Sequence, residues 1–414
     1  MTRDFWRFWA GETISAFGSS FTQFAIPLLV FKLTGSPLYL AATFALYAVP
    51  HLLFGLIIGA WTDRTDRRRL MMTVDLLSAL AIGSVPIAAA LGVLTVWWVM
   101  VVIFVSGALS IFFEAAQFGA VPSLVEAADL VTANGRIQAS FAAATVAGPL
   151  VAGALLLFLQ VDRLLIVDAA TFLVSALALA FIRRTFNPPV ARPRTSLRAD
   201  IVEGLRYVLR HPVLRNISAM MALVNFVGVS AFAQLVYLAK ERYAATDSQI
   251  GILFAAGGVG VFLMSLAAGP LRKRWSFGNV ALGALMLSGA LIVALAFAPS
   301  FWIAVPVWGL SAGLGTLFNI NTGSLRQAIV PNHMLGRIIT IAMVLAWSAN
   351  PLGSILGGFA IERSQNVQVI YVAIGVLTFL IPLYFRLFSP LGHAERYLGT
   401  GAPSVQPFIA SASR

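Results

Sequence analysis

Residues 59–69 read Gly59-Ala60-Trp61-Thr62-Asp63-Arg64-Thr65-Asp66-Arg67-Arg68-Arg69. Four arginines and two aspartates are packed into a turn between two apolar runs, at about 38–60 and 70–94. A helix needs about 20 apolar residues to cross hydrocarbon, and each run is that long. The turn is therefore read as the charged hairpin between two membrane spans, and the rest of the chain is read outward from it.

Apolar runs of this length recur on both sides. The first six lie at about 8–32, 38–60, 70–94, 96–118, 136–159 and 164–182, and six more at about 213–239, 248–270, 277–298, 301–324, 337–360 and 367–388. Barrel strands would alternate over about 10 residues, whereas these runs are continuous. Only helices and closed barrels satisfy the backbone in lipid. The expected fold is an all-α membrane protein of twelve spans. Composition agrees: 59% of the 414 residues are hydrophobic and 11% charged. A soluble domain has about 45–50% and about 25%, so soluble and disordered classes are excluded. The first run lacks a signal-peptide cleavage pattern, and no cleaved signal is expected.

The cations sort by side. With both termini in the cytosol, 23 of the 28 Lys and Arg fall in cytosolic segments, and only Lys32, Arg163, Lys240, Arg242 and Arg363 fall outside. Positive charge marks the cytosolic loops, so the termini are placed there. The net charge of +12 then needs no nucleic acid. There is no cysteine, hence no disulfide, thiolate metal site or cysteine nucleophile. No cofactor or metal is expected. Phosphate-loop spacing and His-Glu-x-x-His are absent, so neither ATP use nor an enzyme is expected.

Residues 183–212 are the one long polar connection. Leu197, Ile201, Leu205, Val208 and Leu209 share a helical face with arginines elsewhere, the pattern of a cationic amphipathic helix at the membrane surface. The chain also repeats. Val121-Pro122, Gly135-Arg136 and Pro149-Leu150 recur as Val330-Pro331, Gly336-Arg337 and Pro351-Leu352, and Gly59 as Gly269. The expected layout is a six-helix half over 1–182, a linker over 183–212, a second half over 213–388 and an unstructured cytosolic tail over 389–414. Such pseudo-symmetric halves place a transporter's site between them.

The opening stretch resembles the loop signature of the major facilitator superfamily: Gly, three residues, Asp-Arg, one residue, Gly, then two cations. Gly59, Asp63, Arg64, Arg67 and Arg68 match it, while Asp66 stands where the pattern has Gly. The second-half equivalent, Gly269 to Arg274, keeps the glycine and cations without the aspartate. Asp200–Arg215 and Leu165–Ala176 resemble the branch of macrolide-efflux proteins and enterobactin exporters. The resemblance covers residues 1–390. It implies alternating access, with the 59–69 loop as a latch between the halves in the outward-facing state. Gly148-Pro149 with Gly153 partly resembles the antiporter signature of the fifth helix. The arginine that drug–proton exporters often carry in the fourth helix is missing from Val96–Phe118.

Ionisable groups inside spans are functional candidates by default. Glu12 lies in the first span, where exporters of the resembled family often carry a working carboxylate. Asp75 and His51 are further candidates for proton coupling. Glu114 lies where the helix dipole opposes an anion and needs a partner, with Arg64 or Arg67 in reach, so it joins the gate. Asp168 is read as a capping residue. The polar midplane residues are neutral: Ser19, Ser20, Gln23, Asn225, Gln234, Asn319, Asn321, Ser348 and Asn350, accompanied by Phe24, Phe226 and Trp347. Together they suggest an apolar, aromatic, weakly polar cavity. The expected function is proton-antiport export of lipophilic or amphipathic small molecules from the cell membrane. A siderophore or lysolipid translocator, or a facilitator without proton coupling, stays open. The expected partners are the substrate, protons and the bilayer. Nothing requires a second subunit, so a monomer is expected.

Overall fold

A computed structural model describes residues 2–62, 65–126, 129–186, 197–330 and 335–397. Among them there is no strand, and twelve helical segments are long and apolar enough to cross a membrane. The first half contains α1 (Arg3–Thr34), α2 (Pro37–Thr62), α3 (Arg67–Ala90), α4 (Val96–Leu124), α5 (Leu130–Leu155) and α6 (Leu164–Ala180). The linker helix is α7 (Leu197–Arg210). The second half contains α8 (Pro212–Ala233), α9 (Leu235–Tyr243), α10 (Asp247–Arg274), α11 (Gly283–Phe297), α12 (Phe301–Ile329), α13 (Leu335–Trp347), α14 (Asn350–Ser364) and α15 (Val367–Phe388).

The helices outrun the apolar runs because their ends are capped by polar residues. Thr2 accepts from the Phe5 N–H and starts α1, and Thr95 caps α4 through the Trp98 N–H. Asp66, the departure from the family's glycine, accepts from the Arg69 N–H and caps α3. Two spans are broken. The seventh divides at Gln234 into α8 and α9. The eleventh divides before Asn350-Pro351, and proline sits in the first turn of α14, where its missing N–H costs no hydrogen bond.

Two expectations change. Arg326 lies beyond the apolar run at 301–324 and so falls among the 23 cations expected in cytosolic segments, but α12 continues to Ile329 and encloses it, 7% exposed. Residues 390–397 had been assigned to the unstructured tail. They form a 3-10 turn, and its Leu391 and Ala394 are fully buried against the second half. Two apolar residues spaced three apart suffice to pin such a turn, and composition alone hid them. Residues 398–414 lie outside the described residues.

The internal repeat shows in the contacts. Ser20 of α1 donates to the Ala144 carbonyl of α5 at 2.8 Å, and Ser230 of α8 donates to the Gly353 carbonyl of α14 at 2.7 Å. Gly148 lies against Ser20 and Gly357 against Ser230, each so close that an added Cβ would meet the hydroxyl at 2.0 and 2.1 Å. The contact register therefore pairs Gly148 with Gly357. Pro149 then corresponds to Gly358, not to Pro351 as the sequence motif suggested.

The two ends of the bundle differ. At the end away from the termini, one core mixes both halves, with Leu28 and Leu40 beside Leu238, Leu253 and Tyr371. Polar ties cross the halves there. Lys32 pairs with Asp247 at 2.5 Å, and Ser36 donates to Glu362 at 2.5 Å. Gln234 donates to the Pro37 carbonyl at 2.8 Å, and Ser354 to that of Ala41 at 3.1 Å. At the terminal face the cores are separate: Phe5, Phe8, Met71 and Phe186 in the first half, Val213, Phe277, Phe385 and Leu391 in the second. Among the described residues, the halves share a core at the far end and not at the terminal face.

Candidate functional site

A cavity fills the space between the halves. Its larger chamber, about 540 Å³, takes Phe24, Phe44 and Tyr47 from the first half and Phe232, Phe254 and Trp308 from the second. The rings hold one another: Phe24 meets Phe254 edge-on at 5.7 Å, Phe44 meets Phe232 at 5.4 Å, and Phe232 stacks on Trp308 at 6.4 Å. Such pairs are worth about 0.5–1.5 kcal/mol beyond area burial. Ser20, Thr22, Gln23, Thr43, Ser106 and Thr145 supply its few polar groups.

A second chamber of about 270 Å³ shares Ser20, Thr22, Gln23 and Tyr47 with the first, so the two are continuous. Its lining is wholly from the first half and includes Glu12, Asp75, Glu114 and Asp168, with no Lys, Arg or His among the described lining residues. Glu12 lies nine residues after Arg3, roughly 13 Å along α1 at 1.5 Å per residue. The second chamber thus extends the cavity toward the terminal face.

Each carboxylate is held differently. Glu12 is 6% exposed and accepts from the Gln117 amide at 3.0 Å, while its other oxygen has no partner. Asp75 is 1% exposed, and its Oδ2 also lacks a partner. Asp168 accepts from the Thr22 and Thr171 hydroxyls. It therefore holds α6 to α1 just past the first turn of α6 and lines the chamber, beyond the capping role read from sequence. Glu114 is exposed to the chamber. His51 lies 5.9 Å from the Tyr47 ring, one turn along α2, and so borders the cavity through that ring.

The remaining sequence candidates divide. Ser19 and Gln23 line the cavity, and Gln23 is exposed in mid-span. With Glu12 and Ser15 they form a polar stripe on α1 at helical spacing. Asn225 donates to the Ala346 carbonyl at 3.0 Å and joins α8 to α13. Gln234, 0% exposed, ties the halves through Pro37. Asn321 donates to the Leu317 carbonyl of its own helix. Asn319 and Trp347 are exposed, Asn350 is half-buried at the start of α14, and none of these six lines either chamber. Pro149 lines the larger chamber, Gly148 packs on Ser20, and Gly153 approaches Gly251 of α10. Sequence reading passed over Phe44, Tyr47, Phe232, Phe254, Trp308, Thr145 and Gln117. The aromatics sit in runs that are apolar on every side, where nothing marks a cavity face.

In the loop, Gly59 lies in α2, while Asp63 and Arg64 lie outside the described residues. Arg67 donates to the carbonyls of Gly119 and Phe186, and Arg68 to those of Leu179 and Ala180. Both arginines thus bind the first half to itself: Arg68 caps the carbonyl end of α6, and Arg67 joins α4 to the segment that follows α6.

A family model described as "Transmembrane secretion effector" matches residues 2–397. The chain belongs to this family of major facilitator transporters. The multidrug efflux pump Tap of Mycolicibacterium fortuitum is 29% identical over 357 residues, spanning 82% of this chain and 85% of that protein. Macrolide efflux protein A of Streptococcus pyogenes is 25% identical over 368 residues, spanning 87% and 89%. Among solved structures, a bacterial homologue of the lysosomal transporter Spinster, in an inward-facing conformation, has a TM-score of 0.73 at 13% identity, covering 95% of this chain and 97% of that one. The nucleoside transporter NupG has 0.76 at 12%, covering 93% and 99%. These structures share the fold. The protein is an integral membrane transporter.

Proposed function

We propose that this transporter exports lipophilic or amphipathic small molecules, exchanging them for protons, with both termini in the cytosol. The observation that carries this reading is the continuous cavity: an aromatic chamber formed by both halves, opening into a carboxylate chamber owned by one. A bulky apolar compound fits the first by contact and stacking. The second holds acids in a low-dielectric span, with no Lys or Arg among its described lining residues, and such groups need a proton or a cationic ligand to be neutral. The efflux activities named for the two relatives support the direction of transport.

The cycle follows from the two ends. With the terminal face in the cytosol, the parted cores admit substrate from inside the cell or the inner leaflet. Export requires the far-end ties, Lys32–Asp247 and Glu362–Ser36, to break and the terminal face to close. Protonation of Glu12, with Asp75 and Glu114 beside it in the chamber, drives this only if it binds differently in the two states. Asp63, Arg64, Arg67 and Arg68 then latch the closed cytosolic side, with Gly59 allowing close helix approach. The Gly148-Pro149 and Gly153 segment gives α5 the close contact with α10 about which the halves rock.

The test is accumulation in inside-out vesicles with an imposed pH gradient, acid inside. The panel is a macrolide, a hydrophobic quaternary cation, a catecholate siderophore and a lysophospholipid. Gradient-driven accumulation of the first two is expected. Uptake confined to the siderophore or lysolipid would replace the substrate class, and equilibration indifferent to the gradient would replace antiport with facilitation.

A further inference from the structure

The contact register that pairs Gly148 with Gly357 also pairs Gln117 of α4 with Arg326 of α12, and the register that pairs Ser20 with Ser230 places Met221 of α8 one residue before the counterpart of Glu12 of α1. In each half the residue of α4 or α12 touches the one of α1 or α8. Gln117 donates to Glu12 at 3.0 Å, and the Arg326 guanidinium lies 3.0 Å from the Met221 sulfur. The second half thus places a fixed cation where the first half places an amide, and that cation's contact on the neighbouring helix is a thioether and not a carboxylate.

Arg326 is 7% exposed, and Met221 is its one hydrogen-bond partner among the described residues. A thioether is a weak acceptor for a group with five donors. A buried cation without an anion is expensive, and in a span it marks function by default. The anion cannot come from nearby in sequence: between Asp247 and Glu362 there is no acidic residue at all. Those two are committed at the far end. The first half, by contrast, presents Glu114 on α4, one turn from Gln117 and exposed to the chamber, where its electrostatic neighbour is His51 of α2. Positions related by the two-fold converge when the halves close about it. We propose that Arg326 is the receiving cation of a cross-half ion pair with Glu114, absent while the terminal face is open and formed when it closes. This rests on the alternating-access reading above, and assigns Arg326 as a positioning residue of the cycle.

The absence of native cysteine makes the test clean. In a Glu114→Cys/Arg326→Cys chain, a short bifunctional thiol reagent should cross-link the pair. The yield should rise several-fold when Asp247→Asn breaks the far-end tie and favours closure. This readout needs no substrate, so it stands even if every compound of the vesicle panel fails. No cross-link in either background overturns the pairing. So does a higher yield for Asp63→Cys with Arg326→Cys, which would give the arginine to the loop instead. Arg326→Met separates this role from a structural one. A buried charge kept for conformational change should, when replaced by an apolar side chain, leave the open form at least as heat-stable and lower transport more than tenfold. Lower stability with transport unchanged overturns the proposal. The swap Glu114→Arg/Arg326→Glu should recover at least half the transport lost in either single variant, and a double variant no better than the singles contradicts it.

Discussion

Ser20 carries two constraints at once. Its hydroxyl is given to the Ala144 carbonyl, and its side chain fills the space that a Cβ on Gly148 would need. Gly148→Ala should therefore cost about 1–3 kcal/mol, as overpacking does, and lower the melting temperature in detergent. Ser20→Gly in the same chain should restore most of that loss, because the two sites share one volume. A Gly148→Ala melt equal to wild type contradicts the contact. Trp308 and Phe254 act differently, since they face the cavity. Trp308→Ala should weaken binding of a lipophilic substrate by about tenfold, equivalent to about 1.4 kcal/mol, and should also lower the melting temperature, because the ring is buried and stacked on Phe232. Equilibrium binding by tryptophan-independent fluorescence polarisation checks this. The acids at Glu12, Asp75 and Glu114 were legible in the sequence because a charge inside an apolar run stands out. Phe254 and Trp308 were not, because an aromatic residue looks the same facing lipid, core or cavity. Arg326 was misread for a third reason: it lies where an apolar run fades, and only the cap of α12 decides whether that turn is helix or loop.

At the scale of elements, the junction of α7 and α8 is titratable. His211 caps α8 by accepting the Leu214 N–H on Nδ1 at 3.4 Å, which requires the neutral ring. Burial pushes its pKa below the usual 6.5. A depressed pKa means that the folded state binds fewer protons than the unfolded one. The cap's contribution is then full above the unfolded value and is lost as pH falls through the folded one. Amide exchange around Leu214, corrected for intrinsic rates, should speed up from about pH 7.5 to about pH 5.5, and His211→Ser, a cap that does not titrate, should remove the difference. On the far face, Asp247 is held by Lys32 at 2.5 Å and by Lys240 at 2.6 Å. Lys32→Gln should shift the population toward opening there, read as greater reagent access to a cysteine placed at Leu28. Unchanged access contradicts a gating role. The elements were largely visible in the sequence, since length and hydropathy fix membrane spans. The breaks at Gln234 and Asn350 were not, because the flanking runs continue through them.

For the whole molecule, the repeat explains both what is shared and what differs. The two halves use the same serine-to-carbonyl contact and the same close glycine, so the scaffold is symmetric. Their polar content is not: the acids line a chamber of the first half, and the second half answers with the buried Arg326. The twelve-span plan was readable from composition and the cation split. The register of the repeat was not, because proline in α14 marked a helix start and not the equivalent of Pro149. The central claim is that substrate leaves as protons enter, through Glu12. Its most direct test is substrate-dependent proton movement in proteoliposomes carrying a pH-sensitive dye, for wild type and Glu12→Gln. A pH change is expected on adding a transported compound to wild type and none in Glu12→Gln, although the variant still binds that compound. Proton movement that survives in Glu12→Gln, or substrate crossing wild-type membranes with no proton movement, contradicts it.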